Sequence, residues 1–325
     1  MTQETTGKKP MNFYDLSKEW LANKSYKVKE STAQKYELIL STHIIPAFGN
    51  IMLSELSTAY LNQHITELYQ KKREALSFSS LRIITFIIKA IVSYGMANEY
   101  FPPIYFTFEF SNKNTSDLSN IQILDQIQET AILEQTQLKQ NPNNLGILIS
   151  LGTGMRIGEV CSLSIKDLDM DTRIISVKRT VQRLSKKADN RRTELVVTTP
   201  KSIHSIREIP IPDFLYDVLT SYHINYSDSN KFVLTNSIKP YDPRTLQYAF
   251  ERLIKRQGYD NLHFHCLRHT YATRCIEAGI DIKTVSELLG HSDASFTMNR
   301  YVHPSLDMKR AAINKLNSNW KRIGK

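Results

Sequence analysis

The sequence predicts a mainly α-helical protein that holds a small antiparallel β-sheet and is divided into two domains. Its 325 residues are enough for two hydrophobic cores. Apolar side chains recur at helical spacing from Asn12 to about Glu99, whereas β-branched residues concentrate in short segments between 173 and 211. The stretch SNKNTSDLSN (111–120) lacks periodicity and is typical of a linker. The expected parts are a polar tail, a helical domain, the linker, a mixed domain and a C-terminal helix, at 1–10, 11–110, 111–120, 121–304 and 305–325.

Four helices are predicted in the first domain. The second of them is expected to begin at Ser31 or Thr32 and to stop at Pro46 and the Phe48-Gly49 turn, because proline lacks the N–H that a helix interior needs. The other three are predicted to start near Phe13, to run from Ser57 or Thr58 through Tyr69, and to run from about Ser79 to Asn98.

The second domain is predicted to combine helices with one three-stranded sheet. Its strands are expected at 173–184, 194–200 and 206–211, with a turn at 201–205. Asp242 before Pro243 marks a helix start, and Gly279 and Gly290 mark helix ends, since glycine adopts the left-handed conformation that closes a helix. The predicted helices cover about 124–139, 143–151, 156–163, 213–222, 243 onward, 266–278 and 281–289.

The charge balance of the chain favours a polyanionic partner. Lys and Arg outnumber Asp and Glu by 42 to 32, and such an excess binds phosphates with release of counterions, although a basic globular protein without such a partner has the same balance. Cys161, Cys266 and Cys275 form no CxxC pair, which favours a reducing compartment. No apolar run is expected to span a bilayer, because Arg82 and Lys89 interrupt the longest one, so a cytoplasmic protein is predicted.

One C-terminal stretch is dense in side chains that handle phosphate. It contains HFHCLRHTYATR (263–274), LLGH (288–291) and NRYVH (299–303). His265 and Arg268 lie three residues apart, so one helical face can present both to a single anion. Upstream, Arg156 follows a glycine-containing turn, and Glu159 lies one helical turn later, where it can hold that guanidinium or a nearby imidazole.

The order and spacing of these motifs resemble the tyrosine recombinases, the phage and mobile-element integrases. TGMRIGE (153–159) is similar to their first arginine box, HCLRH (265–269) to the second, and LLGH followed ten residues later by Tyr301 to the third box and its nucleophile. Lys201, nine residues before Pro210, is similar to the family's β-hairpin lysine. Residues 12–99 resemble its helical, SAM-like core-binding domain, so the resemblance implies that domain followed by a mixed α/β catalytic domain.

The resemblance also implies a covalent mechanism. Tyr301 would attack a DNA phosphate to form a 3′-phosphotyrosine and release a 5′-hydroxyl. His265 is the candidate base, because a free tyrosine titrates only near pH ~10. Arg156 and Arg268 would bind the non-bridging oxygens, and Lys201 would protonate the leaving oxygen. His291 would hydrogen-bond the phosphate and Glu159 would support the site; no metal, ATP or other cofactor is implied.

The implied partner is double-stranded DNA carrying core recombination sites. Family members commonly act as homotetramers on DNA, and the stripe Met308, Ala312, Leu316, Trp320 in the predicted tail helix would dock on a neighbouring protomer or on its own domain. An excisionase or a host DNA-bending protein is a possible accessory, and no membrane partner is expected. Many relatives carry an additional arm-binding domain, for which the ten residues before the first helix are too few.

Several functional alternatives remain open at this point. Integration and excision of a mobile element or prophage is the first expectation; resolution of chromosome dimers or DNA inversion would use the same residues. A catalytically silent DNA-binding regulator would fail to cleave DNA. A metal-dependent nuclease built on His263, His265 and His269 would be sensitive to EDTA, but its spacing is not a standard zinc motif and no pair of acidic residues accompanies it.

Overall fold

The computed structural model describes residues 11–72, 76–105, 122–186, 189–200, 202–222 and 228–293, with residues 295, 298, 310, 313 and 314. The chain forms two compact units, Met1–Lys113 and Asn114–Lys325. The architecture is mainly helical with small antiparallel sheets, which confirms the predicted fold class. The predicted linker at 111–120 lies outside the described residues, and the domain limits stay a prediction.

The first unit is built from helices that begin at side-chain caps or turns. The Asn12 side chain accepts a hydrogen bond from the Asp15 backbone N–H at 2.9 Å, and Ser57 does the same for Tyr60 at 3.2 Å. The helices of this unit are α1 Phe13–Ser25, α2 Glu30–Ile39, α3 Ile45–Phe48, α4 Thr58–Lys72 and α5 Phe78–Ala97.

The prediction for the second helix is wrong at its start and in stopping the helix at Pro46, whereas the helical segment does end at the predicted Phe48-Gly49 turn. The helix begins at Glu30 without a side-chain cap, so Ser31 and Thr32 lie inside its first turn. It then widens into a π-helical turn, Leu40–Ile44, and continues as α3 through Pro46. A π turn moves the hydrogen bonding from i−4 to i−5, which lets the helix pass a residue that has no N–H.

Helix α5 corrects the expectation that no run could span a bilayer. By length and composition, Phe78–Ala97 is apolar enough to cross a membrane. In the structure, however, Ile84, Ile87 and Ile91 lie in the core of the first unit together with Phe13 and Leu16 on α1 and further apolar residues. A buried core helix passes the same composition test, so α5 is explained by the core that it forms.

The second unit surrounds the buried helix α7. Residues Leu145 to Thr153 of this helix are all buried, and its core includes Leu148, Phe250 and Leu267. Asp242 accepts from the Arg244 N–H at 3.0 Å with Pro243 next to it, as predicted. The helices are α6 Gln126–Gln137, α7 Pro142–Thr153, α8 Ile157–Cys161, α9 Asp213–Ser221, α10 Pro243–Arg256, α11 His265–Glu277 and α12 Ile282–Leu289.

The strands form two small sheets instead of the single sheet that was predicted. One has the order β1-β2-β5 and the other pairs β3 with β4, all antiparallel. The expected strand over 173–184 is therefore two strands, and residues 203–205 form a 3₁₀ turn between strands of different sheets. The strands are β1 Leu168–Asp169, β2 Ile174–Val177, β3 Thr180–Lys186, β4 Asp189–Thr198 and β5 Arg207–Pro210.

Arg179 gives a physical reason for the split. It lies between β2 and β3, and its guanidinium donates to Ser164 Oγ at 2.6 Å and forms an ion pair with Asp167, whose side chain is buried. This contact lies at the point where the chain has left the first sheet and has not yet entered the second. β-Branched composition alone does not report that change of direction.

Two glycines end helices in the predicted way. Gly279 and Gly290 have φ angles of 84° and 66°, in the left-handed region. The predicted tail helix at 305–325 falls largely outside the described residues; only Arg310, Ile313 and Asn314 are described within it, and they are helical and exposed.

Candidate active site

A cleft of about 620 Å³ in the second unit gathers most of the described candidate residues. Arg156, Glu159, His265, Arg268 and His291 all line it, although they are spread over more than 130 positions of the chain. Two predicted site residues, Lys201 and Tyr301, lie outside the described residues. The remaining lining comes from Thr180, Gln182, Pro200, Ser202, Ser205, His269, Gly290, Ser292 and Asp293.

The first arginine box places Arg156 at the N-terminus of helix α8. Helix α7 ends at Gly154, whose φ of 65° is left-handed; an added Cβ would lie 2.5 Å from Tyr271 and 2.9 Å from Leu289. Directly after this turn, the Arg156 backbone N–H donates to Glu159 Oε2 at 2.9 Å, and its Nη1 donates to Glu159 Oε1 at 2.8 Å. The Arg156 side chain is 37% exposed and lines the cleft, while its contacts with Glu159 fix its position.

Glu159 is a buried carboxylate that stays ionised. Burial by itself would raise its pKa, but the charges of Arg207 and then Arg156 hold the pKa below its usual range. Arg207 Nη2 lies 3.0 Å from Glu159 Oε2, and both side chains are buried. The carboxylate therefore holds one arginine at the cleft and a second one behind it.

The second box supplies a buried arginine, Arg268, on the first turns of helix α11. Its Nη1 donates to the Gly154 carbonyl at 2.8 Å and its Nη2 to the Leu289 carbonyl at 2.6 Å. Because a guanidinium only donates, the 2.8 Å contact from Nη2 to His291 Nε2 makes that nitrogen the acceptor and places the His291 proton on Nδ1.

The two histidines of the second box lie side by side. The ring centroids of His265 and His269 are 4.4 Å apart and the rings are nearly perpendicular, at 83°. His265 is exposed at the cleft, and His269 is buried. Within the described ranges, no three His, Cys, Asp or Glu side chains are grouped as metal ligands, so these histidines give the zinc alternative no support there.

The third box lies at the C-terminal end of helix α12. Gly290 closes the helix, and the His291 N–H returns to the Ser286 carbonyl at 3.0 Å, a glycine-dependent cap. This cap sets His291 against Arg268. The spacing Leu-Leu-Gly-His is thus explained locally: the helix, its glycine end and the imidazole form one unit.

Arg207 is a site residue that the sequence analysis missed. It was interpreted only as part of a strand, IREIPI. In β5 it lies two residues before Ile209, which is buried, and residues two apart in a strand share a face. An arginine on an inward face needs a carboxylate partner, so alternation could have identified it. His269, the last residue of the second box, also lines the cleft, although no role of its own there was predicted from the sequence.

Two protein-family models match this chain. Residues 122–307, more than half of the chain, match the Phage integrase family, and residues 12–69 match the Phage integrase N-terminal SAM-like domain. The chain therefore belongs to the phage integrase family, the class of the tyrosine recombinases.

Two curated relatives show how far the similarity extends. A tyrosine recombinase XerC-like protein of Caldanaerobacter subterraneus subsp. tengcongensis is 33% identical over 186 residues, 52% of this chain and 48% of that protein, so the match spans about half of the relative. A putative prophage phiRv2 integrase of Mycobacterium tuberculosis is 25% identical over 320 residues, 94% of this chain and 79% of the relative.

Solved structures share the fold. The Tn1549 transposon integrase in complex with a circular intermediate DNA has a TM-score of 0.75 at 22% identity, covering 94% of this chain and 99% of that chain. The XerH site-specific recombinase bound to difH substrate has a TM-score of 0.62 at 16% identity, covering 96% and 98%. At these identities the likeness establishes the architecture, and the residue roles rest on the cleft itself.

Proposed function

We propose that this tyrosine recombinase breaks and rejoins DNA at a specific site through a 3′-phosphotyrosine on Tyr301. The observation that carries the proposal is the convergence of Arg156, Arg268, His265 and His291 on one cleft. Two guanidinium groups and two imidazoles in a concave site fit a phosphodiester, whose negative charge increases in the transition state of an attack at phosphorus.

The described residues take distinct roles in this proposal. Arg156 and Arg268 bind the non-bridging oxygens, and their bonds to Glu159 and to backbone carbonyls hold them in place before DNA arrives. Such preorganisation avoids reorganisation during the reaction. His265 accepts the tyrosine proton. His291, already in contact with Arg268, positions that guanidinium or donates to the phosphate.

Two residues outside the described ranges complete the proposed chemistry. Tyr301 is the nucleophile, and Lys201 donates the proton to the leaving 5′-oxygen. Pro200 and Ser202, the neighbours of Lys201 in sequence, line the cleft, as do Ser292 and Asp293 after the third box. The phosphotyrosine conserves the energy of the broken bond, so a second 5′-hydroxyl can reverse the attack without ATP or metal.

The proposed substrate is double-stranded DNA with a core site, bound by both units in the cytoplasm. Relatives by fold include integrases and recombinases solved on DNA, which supports this substrate class. A homotetramer on paired sites, in which residues 305–325 dock on a neighbour, and an excisionase or DNA-bending accessory complete the proposal. The role that we infer is integration and excision of a mobile element or prophage.

Resolution of chromosome dimers is the second candidate role. It is supported by the 33% identity, over 186 residues, to the tyrosine recombinase XerC-like relative. The two roles predict different DNA sites: the ends of a mobile element for the first, and one chromosomal site for the second.

Trapping the covalent adduct tests the function and finds the site together. The wild-type chain is expressed in its host, adducts are stabilised by rapid denaturation, and the attached DNA is sequenced. We expect one recurrent sequence, a lost adduct in Tyr301→Phe, and retained DNA binding by that variant. Binding without any adduct in the wild type would instead indicate the catalytically silent regulator.

A further inference from the structure

The end of helix α12 binds three arginines through three successive carbonyl groups. Arg207 Nε donates to the Leu288 carbonyl at 2.5 Å, Arg268 Nη2 to that of Leu289 at 2.6 Å, and Arg156 Nη2 to that of Gly290 at 3.3 Å. A helix C-terminus carries partial negative charge, so it favours cations around it. Arg156 and Arg268, which line the cleft, are therefore bound by the same helix end as Arg207, which does not line it.

Arg207 connects this support to the first arginine box. Besides the Leu288 carbonyl, it donates through Nη2 to Glu159 Oε2 at 3.0 Å and through Nη1 to the Ser205 carbonyl at 3.1 Å. Its side chain is only 6% exposed. Each of its three nitrogens thus reaches a different segment: the end of α12, helix α8, and the turn before β5.

We propose that Arg207 is a positioning residue that sets the distance between Arg156 and Arg268. It acts by holding Glu159 and the end of α12 at the same time, because Glu159 fixes Arg156 and the α12 carbonyls fix Arg268. The inference rests on the proposed function, since it concerns how fast that cleft cuts DNA. The contacts lie within the second unit, so the binding of DNA by other surfaces is independent of them.

The planar guanidinium is what this position requires. Its Nε and Nη2 point along different directions in one rigid plane, which reaches a carbonyl and a carboxylate together. A lysine retains the charge next to Glu159 but has a single nitrogen, so it cannot also bind the Leu288 carbonyl in the same geometry. A displacement of about 1 Å at a catalytic group lowers a rate by roughly 10²-fold, which sets the expected effect of Arg207→Lys.

The test measures DNA binding and cleavage separately. The probe is a nicked duplex that carries the core site recovered from the wild-type adduct, so an active wild type establishes the function before any variant is judged. Arg207→Lys is compared with Arg179→Lys, a matched control whose guanidinium pairs with another buried carboxylate, Asp167, outside the cleft. The double variant Arg156→Lys/Arg207→Lys is measured alongside Arg156→Lys.

The proposal predicts a pattern that general destabilisation does not give. Arg207→Lys should bind the core-site duplex with an affinity within about twofold of wild type and form the adduct about 100-fold more slowly. The double variant Arg156→Lys/Arg207→Lys should form the adduct no more than about threefold more slowly than Arg156→Lys alone. Arg179→Lys should cleave at the wild-type rate. Cleavage within threefold of wild type, an equal defect in Arg179→Lys, or defects that multiply in the double variant would each overturn it.

A second variant covers the case in which Arg207→Lys does not fold. Glu159→Gln/Arg207→Met replaces the buried ion pair with neutral groups of similar volume, a change that proteins often tolerate. It removes the same connection between Arg156 and α12. Unaltered cleavage by this folded double variant would equally contradict the positioning role.

Discussion

Each of the two units contains a carboxylate that organises its neighbours, but the partners differ. In the second unit, buried Glu159 is bound by the guanidinium groups of Arg156 and Arg207. In the first unit, Glu19 is bound by phenol groups: Tyr94 Oη donates to Oε1 at 2.9 Å, and Tyr100 Oη to both oxygens at 2.9 and 3.0 Å.

The difference in partners separates a network beside the proposed catalytic cleft from one among the helices of the first unit. Charged partners keep Glu159 ionised and leave a positively charged side chain, Arg156, at the surface of a cleft. The phenol partners of Glu19 are neutral hydrogen-bond donors, and among the described residues no member of this network lines the cleft. The carboxylate type is the same, so the partners decide the role.

The largest expected contrast comes from the same substitution at the two carboxylates. Glu159→Gln leaves the buried Arg207 without its counter-charge, which should lower the free energy of unfolding by about 3 kcal/mol. It also loosens Arg156, so adduct formation should fall roughly 10²-fold. Glu19→Gln should cost about 1 kcal/mol and leave cleavage unchanged. Calorimetry and single-turnover cleavage measure both; equal cleavage rates in the two variants would break the comparison.

The site was more predictable from sequence than the sheet. His265 and Arg268 are one helical turn apart, and Leu288–His291 form a helix end with its glycine cap, so local spacing already places these side chains together. Arg207 depends on contacts with residues 48 and 81 positions away. Such distant pairings are fixed by packing, which the local pattern does not encode.

The same limit explains the two errors of secondary structure. The predicted strand over 173–184 is divided at Arg179, which pairs with Asp167, and the helix that passes Pro46 has a π-helical turn directly before it. The first case involves a contact between residues 12 positions apart and the second a rare helix type, and local composition signals neither. The glycine ends of α11 and α12 were predictable because their signal is local.

Lowering the pH should have an effect of intermediate size on the stability that Glu159 contributes. Since the pKa of Glu159 is lower in the folded protein than in the unfolded chain, its ionised form contributes stability above about pH 4.5, and this contribution is lost as the pH falls through the folded-state pKa. The difference in unfolding free energy between wild type and Glu159→Gln should therefore be constant near neutrality and shrink from about pH 4.5 downward.

Urea unfolding at a series of pH values measures this difference. Glutamine resembles a protonated glutamate, which is why the two proteins should converge in acid. If the difference in unfolding free energy between the two proteins stays constant down to pH ~3, Glu159 is not held ionised by its arginines.

The smallest expected effect belongs to the phenols of the first unit. The hydrogen bond to Glu19 raises the pKa of Tyr94 and that of Tyr100, because the neutral phenol is the donor. Their contribution to stability is thus present below the ordinary tyrosine pKa of about 10 and is lost as the pH rises through the raised value. Tyr100→Phe should cost about 1 kcal/mol and Tyr94→Phe somewhat less, since Tyr100 contacts both carboxylate oxygens.

Tryptophan fluorescence can isolate this effect. The chain has two tryptophans, and in a Trp320→Phe background the signal comes from Trp20, which is buried in the core of the first unit. The unfolding midpoint of that signal should fall in each Tyr→Phe variant, while adduct formation stays at the rate of the Trp320→Phe background. Slower cleavage in Tyr94→Phe with unchanged DNA affinity would show that the Glu19 network is coupled to the cleft, and the separation of the two carboxylates by role would no longer hold.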